Sequence, residues 1–66
     1  MVMTPLTPTQ TLVLDAIIAT DGTSQAVADK LGMAVNTVRT HEQAIRRKLG
    51  VHTKTAAVVL KLQDKL

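Results

Sequence analysis

Asn36, Arg39, Thr40, Gln43, Arg46 and Arg47 are spaced so that successive helical turns return a hydrogen-bonding side chain to the same side. With Asn36 at zero and an advance of about 100° per residue, Asn36, Thr40, Gln43 and Arg47 lie within about 40° of one line, and Arg39 and Arg46 flank them. Val38, Ile45 and Leu49 fall at about 180° to 220°, on the opposite side. One side suits a core and the other a polar partner. Arg grips guanine through O6 and N7, Gln and Asn pair with adenine N6 and N7, and a Thr methyl meets the thymine methyl. Arg39, Thr40, Gln43 and Asn36 are therefore the expected base-reading residues of a duplex-DNA site. Thr37, Arg46, Arg47, Lys48 and Lys54 are the expected phosphate contacts. The competing reading is an ordinary solvated face, which more often carries Glu, Lys and Ala.

Those side chains need a frame. Ser24 to Leu31 shows a short helical pattern, Gly32-Met33-Ala34-Val35 a turn, and Asn36 to Leu49 a longer helix. Two helices joined by a turn of about four residues that opens with Gly form a helix-turn-helix, whose second helix enters the major groove. Upstream, Thr7 is placed to cap a first helix, with Pro8 at its first position and Gln10 closing a capping box. That helix is predicted to run to about Thr20 and to bury Val13, Leu14 and Ile17. Asp21-Gly22-Thr23 ends it, and Thr23 or Ser24 caps the second helix, whose Val27, Ala28 and Leu31 face inward. Gly50 ends the third, and Thr53 caps a fourth from Lys54 to about Asp64. Residues 1–5 read as a flexible arm and 6–66 as one domain.

Leu6-Thr7-Pro8, Val27-Ala28-Asp29-Lys30-Leu31-Gly32, Thr37-Val38-Arg39 with His41, and Arg47-Lys48-Leu49-Gly50-Val51 occur in this order at fixed spacing. In these residues the chain resembles the LuxR/GerE-type helix-turn-helix domain, from about Leu6 to Leu62. The resemblance implies an all-α, four-helix fold in which the third helix reads DNA and the fourth often forms a dimer contact. It also implies base reading by Arg39, Thr40 and Gln43. Three positions depart from the family pattern. Thr9-Gln10 stands where the family commonly has Arg-Glu, which removes an expected ion pair; Ala34 replaces a Ser near the start of the third helix; Leu12 occupies a usually polar position. Ala34 cannot cap free N–H groups, unless the helix starts later and Asn36 is its cap, which would make Asn36 less available to a base.

Composition narrows the partners. The 66 residues carry a net charge of +3, made of −2 over residues 1–35 and +5 over residues 36–66, so the positive charge travels with the proposed reading helix as phosphate binding requires. Phe, Tyr and Trp are absent, which disfavours single-stranded nucleic acid, since such binders stack bases on aromatic rings. Cysteine is absent too, so no disulfide or cysteine zinc site is possible. Without a long apolar run or a basic leader, neither a membrane span nor a signal peptide is expected, and the cytoplasm is the expected location.

The fourth helix is apolar on more than one side: Val58, Val59, Leu62 and Leu66 share a broad stripe, while Leu60 lies away from it beside Ala57. A homodimer through Val59, Leu62 and Leu66 is the expectation. Leu12 falls about 140° from the stripe centre of the first helix and is predicted to be exposed. That makes it a possible surface for a protein partner, a transcription factor or RNA polymerase, and supplies the alternative function of a small protein-interaction module. Catalysis finds no footing. His41 and His52 stand eleven residues apart with no second helical ligand, no phosphate loop is present, and no cofactor or metal is expected. Glu42 is expected to pair with Arg46, four residues on. The resulting expectation is a transcriptional regulator that inserts the helix near Asn36 to Leu49 into duplex DNA in a sequence-specific manner.

Overall fold

The computed structural model describes residues 6–63. Four helices follow one another: α1 (Pro8–Ala19), α2 (Ser24–Leu31), α3 (Val35–Leu49) and α4 (Lys54–Leu62). The expected arm, residues 1–5, and the expected end of the last helix at Asp64 lie outside the described residues.

Each start has a local cause. Thr7 accepts from the Gln10 amide at 3.1 Å while Gln10 Oε1 accepts from the Thr7 amide at 3.0 Å, which closes the capping box ahead of Pro8. Gln10 is thereby buried with its carbonyl occupied, where the missing ion pair had been anticipated. Thr23, not Ser24, caps α2 by accepting from the Ala26 amide, and Thr53 caps α4 by accepting from Ala56. Asp21 reinforces the α2 start. Its carboxylate accepts from the Thr23 amide and hydroxyl, and these bonds, the amide first, hold its pKa below the ordinary value of 3.8.

α3 starts differently. Its N-cap is Ala34, which makes no side-chain cap bond, so Asn36 belongs to the first turn and is not the cap. Ala34 has φ −71° and ψ 147°, a conformation open to serine. Ala34→Ser is expected to stabilise the domain by about 1 kcal/mol, read as a rise in the urea midpoint.

Gly32 and Gly50 end α2 and α3 in the left-handed region, both at φ 68°. Any L side chain there would be strained, and the geometry lets the next amides fold back: Met33 onto Ala28 and Val51 onto Arg46. These two turns set where α3 begins and ends.

α1 packs against the other three helices, α2 against α3, and α3 against α4. The core so formed consists of Val13, Leu14, Ala16 and Ile17 from α1, Val27 and Ala28 from α2, Val38, Ile45 and Leu49 from α3, and Ala57 from α4. Leu31, expected inside, is half-buried and packs against this core. The core is small, as a chain of this length requires.

Candidate nucleic-acid interface

α3 has two unlike sides. Val38, Glu42, Ile45 and Leu49 are buried, and Asn36, Thr37, Arg39, Thr40, Gln43 and Arg47 are exposed. Arg46, Lys48 and His41 are half-buried at the margins. The four residues expected to read bases thus stand together on the outer side of one rigid helix. Three of the five expected phosphate contacts are continuous with them toward its C-terminal end. There, Gln43, Arg46, Arg47, Gly50, Val51 and His52 line an open depression of about 450 Å3. His52 is exposed and joins the two arginines in that depression.

The hydrogen-bonding repertoire of this side is partly committed. Thr40 Oγ1 donates to the Asn36 carbonyl at 3.0 Å, one turn back. Its proton is used inside the helix, which leaves an acceptor and the methyl for a partner. Lys48 is held in an interaction of its own.

Lys54 differs from expectation. Its ammonium lies 3.3 Å from Glu42 Oε2 and donates to the Gly22 carbonyl, so it is drawn toward the protein and not held out for phosphate. The cause is position: Lys54 is the first residue of α4, where that helix meets the α1–α2 loop and the buried side of α3. Glu42 differs for the same reason. It is only 6% exposed and takes Ser24 and Lys54 as partners in place of Arg46. A sequence signal existed for this, since Glu42 falls at about 240°, next to the core stripe and facing neighbouring helices.

Away from α3, Leu12 is 56% exposed on α1, as its register predicted. Val59 and Leu62 are 43% and 68% exposed on α4, outside the core. Leu66 lies outside the described residues. Asp15 and Lys61 approach to 3.8 Å between α1 and α4, a surface pair that contributes little. Among the described residues, no helix is long and apolar enough to cross a membrane, and no group of three or more His, Cys, Asp or Glu side chains could hold a metal ion.

No curated protein and no solved structure matches the chain closely enough to count as a relative. The GerE family does match, over residues 4–61, which takes in α1, α2, the whole of α3 and all of α4 except its last residue. With that span and this fold, the chain belongs to the luxR family of bacterial regulatory proteins and carries its DNA-binding helix-turn-helix domain.

Proposed function

We propose that the domain binds duplex DNA sequence-specifically, with α3 in the major groove. Arg39, Thr40, Gln43 and Asn36 read base edges; Thr37, Arg46, Arg47 and Lys48 hold phosphates. The observation that carries this reading is the clean division of α3: every base-reading candidate is exposed, and the opposite stripe is spent on the core. Lys54 leaves the phosphate set, because Glu42 and Gly22 occupy its ammonium. A regulator of this kind works where the DNA is, in the cytoplasm. The test is a titration of selected, random and single-stranded DNA at several salt concentrations. Duplex affinity should fall linearly in a log–log plot by about 0.9 per neutralised phosphate, and the selected duplex should keep its advantage throughout. Equal affinity for selected and random duplexes sinks sequence reading; preference for single strands sinks the groove geometry.

The exposed pair Val59 and Leu62 favours a homodimer as part of the same reading, with two α3 helices reading an inverted repeat of half-sites about 10 bp apart. Because neither residue belongs to the core, Val59→Lys together with Leu62→Lys should leave the circular dichroism spectrum intact. The double variant is expected to sediment as a monomer and to bind paired half-sites without cooperativity. A wild-type protein that is itself monomeric on DNA would dispose of the dimer.

The exposure of Leu12 favours one other reading, a module that regulates by docking on a transcription factor or polymerase. Burial of that half-exposed side chain against a partner would contribute about 1–1.5 kcal/mol.

A further inference from the structure

Among the described residues, Glu42 is the ionisable side chain that is buried, and the reading of bases assigned above gives it no task. Its carboxylate joins three other parts of the fold. Oε1 accepts from Ser24 Oγ at 2.8 Å, at the first residue of α2. Oε2 lies 3.3 Å from Lys54 Nζ, at the first residue of α4, without a directed hydrogen bond of its own. Lys54 in turn donates to the Gly22 carbonyl in the loop between α1 and α2.

Stability is a poor reason for such a group. Desolvation offsets most of the attraction in a buried ion pair, and replacing both partners by apolar side chains of similar size is often neutral or stabilising. Much of the surroundings is apolar already: Leu14, Ile17, Ile45 and Ala57, together with Arg46 and Lys54, line the same small void of about 10 Å3 beside Glu42. What apolar contacts lack is direction. Val38, Ile45 and Leu49 form a narrow stripe about which a helix can roll with little change in buried area. A hydrogen bond weakens steeply with angle and so resists the roll.

The roll of α3 matters because of where Glu42 stands. Arg39 is three residues before it and Arg46 four after, so both rise from its own flank of the helix, and Gln43 follows it directly. We propose that Glu42 is a positioning residue for base reading: its hydrogen bond from Ser24, backed by the ion pair with Lys54, fixes the rotation of α3 about its axis and so the angle at which Arg39 and Gln43 enter the groove. The inference rests on α3 being the groove helix. Its effect falls on discrimination, since a bidentate base contact demands alignment, whereas flexible cations follow phosphates through a small rotation.

The experiment compares Glu42→Met, Glu42→Gln and Ser24→Ala with the wild-type protein on a duplex selected from a random pool and on random duplex, with folding followed by circular dichroism. Glu42→Met, which strips Ser24 and Lys54 of their partner, is expected to melt earlier than wild type while staying folded at the assay temperature, and to bind random duplex at least as tightly as wild type. It should lose about tenfold of the preference for the selected site, the lower end of what one bidentate base contact contributes. Glu42→Gln, which retains an acceptor for Ser24, should lose less, and Ser24→Ala should lose part of the preference at unchanged random affinity. Should Glu42→Met fail to fold, the Ser24→Ala result decides. Undiminished preference in the folded variants overturns the positioning role. Arg39→Ala separates the two levels: if it loses preference while the Glu42 and Ser24 variants keep it, only the positioning role falls. If wild type binds both duplexes equally, the reading of bases falls and this inference with it.

Discussion

Leu14→Ala is expected to destabilise the domain by about 2–5 kcal/mol, enough to leave much of it unfolded at room temperature. Leu14 is fully buried at the centre of α1, the helix against which the other three pack. Below about 70–80 residues a single core rarely supplies more than about 3–5 kcal/mol in total, so this one truncation consumes most of the margin. Urea unfolding followed by circular dichroism reads the loss as a collapse of the folded baseline. DNA adds a second reading. A ligand that binds only the folded state restores it by mass action, so saturating duplex should recover the helical signal of Leu14→Ala. A loss below about 1 kcal/mol would mean that α1 closes over the gap and that the centre of the core lies elsewhere.

Arg39→Ala is expected to cost about 1–3 kcal/mol on the selected duplex and almost nothing on random DNA, since a bidentate contact to a base carries discrimination. Arg47→Ala should weaken both by similar factors and reduce the salt slope by about one phosphate. Competition titrations at two salt concentrations tell the variants apart. If Arg39→Ala lowers both affinities equally, Arg39 is a phosphate contact and the assignment is wrong. Leu12→Glu belongs in the same assay. It should leave both affinities unchanged, and loss of regulation in cells at normal DNA binding would move the function to a protein partner docking on α1.

What could be seen in the sequence was what depends on neighbours along the chain. Thr7, Pro8 and Gln10 announce the start of α1 because the capping box is closed within three residues. Gly32 and Gly50 announce two ends because a left-handed backbone needs no distant partner. The exposed side of α3 and the exposure of Leu12 followed from helical register alone. The partners of Glu42 and Lys54 did not. Ser24 lies 18 residues from Glu42 and Gly22 lies 32 from Lys54, so these contacts exist only once α2, α3 and α4 have docked. Local spacing favoured Arg46 as the partner of Glu42, and burial overrode it. The start of α3 was open between Ala34 and Asn36 because neither choice offered a complete cap, and the packing of Val35 against the core goes with the earlier one.

The division of α3 into a buried stripe and an outward row makes the lettering of the site exchangeable. Asn36, Arg39, Thr40 and Gln43 are exposed and belong to neither the core nor the side chains packed against it, so each can be rewritten while the scaffold keeps its shape. Surface changes away from such structural features usually shift stability by no more than about 0.5 kcal/mol. On the proposed reading, in which these four residues read bases, a lineage carrying this domain would migrate from one operator to another by single steps, each of them folded. The same property makes a four-position library of this chain a direct route to new binding sites.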